Sequence, residues 1–237
     1  MRDYIILNGV NSNIINGLLI STLPPIVKPK IRTQIEEING RNGDIVTKLG
    51  YSAYTKSFKI GLYGDFDINE VISFFNSEGT VTFSNEEDKY YNYQILDQID
   101  FDKLIRFKTA TVKMHVQPFK YSAIEGTRSF TITNQEQITI NNNGNYVSRP
   151  VISITGTGTI NLSVNGYEVL VIELGENSTT ITIDTVNMEA YNQSTQALMN
   201  RNVTGDYDNL FLNAGSNTIS WTGTITAIQV TDYSRWL

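Results

Sequence analysis

The chain of 237 residues has no cysteine and one histidine, His115. Without cysteine there is no disulfide, no thiolate nucleophile and no zinc–thiolate site. His115 alternates with Lys113 and Gln117 on one face of a strand-like run and reads as an ordinary sheet residue. The sequence also lacks G-x-S-x-G, H-E-x-x-H and G-x-x-x-x-G-K-[ST] motifs. Asp184, Glu189, Asp206 and Asp208 are the carboxylates from which a glycoside-cleaving pair would have to come, and Asp206 with Asp208 is the pair a calcium ion would use. Turn residues and solvated charge account for them more simply. The expectation is a protein with no catalytic residue, no metal and no cofactor.

Long apolar runs are missing too. The nearest, Ile14 to Val27, is interrupted by Asn16, Gly17, Pro24 and Pro25, well short of the roughly 18 residues a spanning helix needs. The first residues show no basic-then-apolar signal pattern, so synthesis in a cytoplasm and no membrane insertion are expected. Basic charge is scarce in the second half: residues 1–118 carry 13 basic and 14 acidic side chains, residues 119–237 only 5 and 10. No basic stripe is available to grip phosphates, which argues against nucleic-acid binding.

What is present is β-structure. In Leu104 to Tyr121, Ala110, Val112, Met114 and Val116 alternate with Thr109, Thr111, Lys113, His115 and Gln117, the pattern of a half-buried strand. Upstream the alternation slips at Ile105 and Phe107, which predicts a bulge near Lys108 in one long bent strand, a shape suited to a barrel. Pro118 is expected to end the strand, and the residue mix changes beyond it, which predicts two domains, 1–120 and 121–237.

In the first half, Tyr4 to Leu7 reads as a short strand. Pro24, Pro25 and Pro29 stiffen Leu23 to Lys30 into an extended arm, either a crossover or an arm that touches a neighbouring subunit. The runs from Ile31 and from Asp44 flank Asn39-Gly40-Arg41-Asn42-Gly43, a hairpin tip that displays Asn39, Arg41 and Asn42. Asp67 to Phe75 is the one convincing helix, with Ile68, Val71, Ile72 and Phe75 at helical spacing behind an Asp67 cap. Asn85 to Lys89 reads as a solvated charged tip between two strands.

From Thr127 onward Ile and Val alternate with Thr, Ser, Asn and Gly in many short strands. Asn165-Gly166 is the clearest two-residue hairpin turn. The pattern predicts two packed antiparallel sheets, a jelly-roll β-sandwich. Such folds often present aromatics to sugars, and Tyr146, Tyr167, Tyr191, Tyr207 and Trp221 are the candidates. Trp221 lies two residues from Ile219 on the same face, which favours a core role for it. A carbohydrate-binding module contacting a host cell wall is therefore the alternative from another functional class.

Several short motifs follow one another in a recognisable order. Leu23-Pro24-Pro25-Ile26, Asn39-Gly40-Arg41-Asn42-Gly43-Asp44, Gly50-Tyr51-Ser52, Ser84 to Tyr91 and Gln117-Pro118-Phe119-Lys120 occupy the first half. Pro150, Gly156, Gly158, Ile183-Asp184, Gly215-Ser216-Asn217 and Arg235-Trp236 occupy the second. In order and spacing the chain resembles the distal tail proteins of long, non-contractile-tailed phages of Gram-positive bacteria. Asn42 departs from the aspartate expected there. The resemblance implies a split β-barrel with one short helix, six copies of which close into a ring at the distal end of the tail, and an outward galectin-like sandwich. It implies a structural virion protein assembled in the bacterial cytoplasm. Its partners would be itself, the major tail tube protein, the tail-tip protein and a receptor-binding protein, with DNA passing through unbound. Pro24, Pro25, Asn39, Arg41 and Asn42 are the interface candidates.

Overall fold

The computed structural model describes residues 2–237, and the chain divides into two compact units after Ala123. The protein is mainly β. In the first unit, β1 (Ile5–Leu7), β2 (Val10–Asn11) and β3 (Leu18–Thr22) precede a hairpin of β4 (Ile31–Glu37) and β5 (Asp44–Tyr51). Then come β6 (Tyr54–Leu62), α1 (Ile68–Phe74), β7 (Glu78–Phe83), β8 (Lys89–Gln94), α2 (Phe101–Phe107) and β9 (Thr109–Ser122).

These strands form a curled half-barrel sheet in the order β2-β1-β7-β8-β9-β6-β3, each neighbouring pair antiparallel. Curling lets one sheet surround its own core: Phe58 and Ile60 on β6, Phe83 on β7, Tyr91 on β8, and Val112, Met114 and Val116 on β9 are all buried. Phe83 packs edge-on against both Phe58 and Tyr91. The hairpin β4–β5 stands outside as a separate two-stranded sheet.

The helix at α1 starts where its sequence signal placed it, with the Asp67 carboxylate accepting from Asn69 N at 2.8 Å. Its buried residues are Val71 and Phe74, while Ile72 faces outward. A second helix corrects the sequence reading of Leu104 to Phe107 as strand. Asp100 caps α2 through Lys103 N, Leu104 is buried, and Lys108 ends the helix in the left-handed conformation at φ 58°. What alternation presented as a bulge is a helix terminus.

Pro118 does not end β9, which continues to Ser122. Opposite it, Tyr91 pairs with Lys120 and Tyr93 with Val116, so three residues of β9 face one of β8. Pro118 sits in that bulge, where β8 asks nothing of its missing N–H, and pairing with β6 stops at Val116.

The second unit contains β10 (Arg128–Thr131), β11 (Gln137–Asn142), β12 (Val151–Val164), β13 (Tyr167–Glu173), β14 (Thr179–Asp184), β15 (Glu189–Tyr191), β16 (Val203–Gly205) and β17 (Gly215–Thr231). The two longest strands, β12 and β17, serve both layers of a sandwich. The first half of β12 lies between β14 and the second half of β17, with β15 and β10 outside. The second half of β12 lies between β13 and the first half of β17, with β16 and β11 outside. Both strands turn the corner at glycines. A Cβ on Gly156 would stand 2.3 Å from Thr224 O, and one on Gly223, whose φ is +96°, 2.3 Å from Thr159 O. The sandwich interior is filled by Ile152, Ile154, Ile160, Leu162, Ile181, Ile183, Ile219, Trp221, Ile228 and Val230. The Asn165-Gly166 turn has positive φ at both residues, 51° and 85°, as its sequence predicts.

Candidate functional site: an arm and hairpin rooted on buried charge

Residues 23–30 have no regular secondary structure and connect β3 to the separate hairpin. Pro24 and Pro29 are buried, whereas Pro25, Ile26 and Val27 are exposed. Side chains of the curled sheet hold the arm by its carbonyls: Lys56 Nζ donates to Pro25 O at 3.0 Å and Asn85 Nδ2 to Pro24 O at 3.1 Å. Proline leaves a carbonyl acceptor but no donor, so donors must come from the body. At the far end Ser52 N donates to Lys30 O at 2.8 Å, and the Tyr51 ring meets Phe119 edge-on.

Lys56 occupies a core-facing position of β6, in the row of Phe58 and Ile60, and is 2% exposed. Its ammonium lies 4.6 Å from the Tyr91 ring centroid and 5.3 Å from that of Phe83, where the negative ring faces offset part of the lost hydration. Nearby, Glu86 accepts from Lys120 Nζ at 2.7 Å and from the Tyr91 hydroxyl, and both charged side chains are only 9% exposed. Glu86 thus turns inward, which corrects the reading of its tip as wholly solvated. Burial lowers the Lys56 ammonium to about 8, with Glu86 opposing the shift and Lys120 adding to it. Burial pushes the Tyr54 hydroxyl up to about 12, reinforced by Glu86, and the same two causes raise Tyr91 further.

Beyond this root β4 and β5 have nearly every residue exposed. Ile35 and Val46 pair across the strands at 59% and 56% exposure, and Ile38 and Leu49 are also exposed. Asn39, Arg41 and Asn42 occupy the tip, all exposed, between Gly40 and Gly43 at φ 83° and 80°. A two-stranded ribbon without a core is marginal in water, and its apolar cross-strand pair and outer edges suit a surface that becomes covered.

The aromatic candidates of the second unit are not gathered. Trp221 is 4% exposed and faces the sandwich core, so it offers no contact surface. Tyr146 lies beside Arg235, Tyr191 belongs to β15, and Tyr207 packs against the core in a short 3-10 turn. The Asp206 carboxylate caps that turn through Asp208 N and Asn209 Nδ2, and Asp208 pairs with Arg149 at 2.8 Å. Among the described residues no cluster of three or more His, Asp or Glu is placed to hold a metal.

Glu86 and Lys120 enter the sequence reading only as members of longer motifs, and Lys56 not at all. Lys56 carried a legible signal, a lysine at the core parity of an otherwise apolar row.

The fold of both units together is similar to that of solved phage hub and baseplate proteins. The crystal structure of the SPP1 Dit protein, described as a paradigm of the hub adsorption apparatus in phages infecting Gram-positive bacteria, matches over 100% of both chains, with TM-score 0.64 at 14% identity. One chain of the phage P2 baseplate in its activated conformation with calcium matches over 100% of this chain and 98% of its own, with TM-score 0.54 at 12% identity. The corresponding strontium structure gives TM-score 0.51 at 12% identity over 97% of each chain. No protein-family model and no curated protein sequence matches the chain. At these identities the likeness is one of fold.

Proposed function

We propose that this protein is the distal tail hub of a phage of Gram-positive bacteria, a non-enzymatic virion component. The observation that carries the reading is the likeness to SPP1 Dit through both units with no part of either chain left over. In this role the first unit closes with five copies of itself into a ring, between the tail tube protein above and the tail-tip protein below. The second unit faces a receptor-binding protein, and assembly takes place in the bacterial cytoplasm. A closed ring needs two different, complementary surfaces on each subunit. The arm and hairpin supply one: an exposed apolar pair, unpaired strand edges and the Arg41 tip, held to the body at Pro24 and Pro25. Fold alone does not confer this role, and the uncovered hairpin is the feature that asks for a partner.

Light scattering with negative-stain imaging of the purified chain tests it. Rings of about 160 kDa, six times the 26.6 kDa of one chain, are expected. A chain that stays monomeric at every concentration, and also in the presence of the tube and tip proteins of its own phage, overturns the proposal.

A further inference from the structure

We propose that the second unit carries a binding site for a neutral oligosaccharide at one end of the sandwich, independent of ring formation. A cavity of about 300 Å3 lies between the β12–β13 turn and residues 209–213. Tyr167, 77% exposed, and Phe211 give it aromatic walls, the buried Val164 and Val169 line it as well, and Glu168, Asn209 and Asn213 supply polar groups. A second cavity of about 240 Å3 adjoins it, sharing Glu168, Val169 and Asn209 and adding Thr204 and Asp206. Two contiguous cavities of this size suit an elongated ligand built of small units.

The walls are fixed before any ligand arrives. Asn217, 1% exposed, accepts from Asn165 Nδ2 at 2.9 Å and from Asn213 N at 2.8 Å, and donates to Asn213 O at 2.7 Å, so one buried amide ties both sides together. Asn165 Oδ1 accepts in turn from Thr218 N at 2.9 Å. Such preorganisation lowers the ordering cost of binding. The Glu168 carboxylate and the Asn213 side-chain amide have no hydrogen-bond partner among the described residues, which leaves them for a ligand. Aromatic faces match the C–H faces of sugar rings, and amides with a carboxylate match hydroxyls. No lysine or arginine lines either cavity, while Glu168 and Asp206 do, so phosphate- or carboxylate-bearing polymers are disfavoured.

The full-length protein is titrated with glucose, N-acetylglucosamine, maltotriose, chitotriose and, as an anionic control, glycerol phosphate, by saturation-transfer NMR and calorimetry. At least one neutral trisaccharide is expected to bind with a Kd of roughly 1 mM or tighter, at least about tenfold better than its single sugar. Tyr167→Ala and Asn213→Ala change exposed side chains and are expected to weaken binding by about tenfold while leaving the ring intact. Failure of every neutral sugar, equal binding of single sugar and trisaccharide, binding unchanged by Tyr167→Ala, or preference for glycerol phosphate each overturns the proposal.

Discussion

Replacing Glu86 by glutamine removes one charge from the root of the arm and little else. The glutamine is nearly isosteric, and its amide oxygen still accepts from Lys120 or Tyr91. What disappears is the negative charge facing two buried ammonium groups, Lys120 at 2.7 Å and Lys56. Breaking a buried ion pair from one side costs about 3–5 kcal/mol, and the retained hydrogen bonds put Glu86→Gln near the lower end. Trp221 lies in the sandwich core, so its fluorescence does not read the first unit. Hydrogen exchange of peptides covering β6 and β9 reads the first unit directly. Protection there is expected to fall by about 3 kcal/mol, with the sandwich unaffected. Titration gives a second readout. Between pH 8 and 10.5 the unfolded chain still holds the Lys56 proton that the folded chain has released, so first-unit stability rises with pH across that window, by on the order of 3 kcal/mol. Tyr54 acts oppositely above pH 10, where the unfolded hydroxyl ionises before the folded one, so the gain is clearest from pH 8 to 10. Without Glu86 the Lys56 ammonium drops lower and the rise begins at lower pH. A loss below about 1 kcal/mol with an unchanged pH profile would mean that these charges are solvated, and would refute the reasoning.

Gly223→Ala places a methyl against Thr159 O at the sandwich corner and is expected to cost about 2–4 kcal/mol, read by Trp221 fluorescence in urea. Ile35→Asp with Val46→Asp alters only exposed hairpin positions. The chain should fold normally, with unchanged circular dichroism, yet give monomers by light scattering; persistent rings would exclude the hairpin from the interface. Asn85→Ala leaves the Pro24 carbonyl without its donor and should cost about 1 kcal/mol, seen as faster exchange of the Ser52 and Ile31 amides.

Legibility followed the length of each pattern. The sandwich strands repeat their alternation often enough that Ile152, Ile154, Ile219 and Trp221 could be assigned inward from parity alone, and Asp67 with Val71 announced α1. The seven residues of α2 did not suffice: Leu104, Ile105 and Phe107 fit a slipped strand as well as a short helix, and only the Asp100 cap tips the balance. Pro118 misled because the rule against proline in strands yields at a bulge, and the bulge is set by pairing with Tyr91 and Tyr93, far away in sequence. The hairpin tip was readable from Gly40 and Gly43. The charge beneath the arm was not, because Glu86 looks like any acidic turn residue until β9, running on to Ser122, brings Lys120 opposite Tyr91. Parity likewise says which aromatics face outward, but not which share a cavity. That depends on Asn217 joining two loops.

The passage of β12 and β17 through both layers makes the second unit a mechanical block. In a sandwich whose layers own separate strands, a sideways load is resisted mainly by side-chain packing. Here sliding one layer over the other would tear backbone hydrogen bonds along the two longest strands of the unit at once, so the layers are riveted to each other at the glycine corner. The strands β10 and β17 are also neighbours, with Arg128 beside Val230. Force applied to the block therefore meets little internal give, the behaviour of a rigid plate and not of a spring.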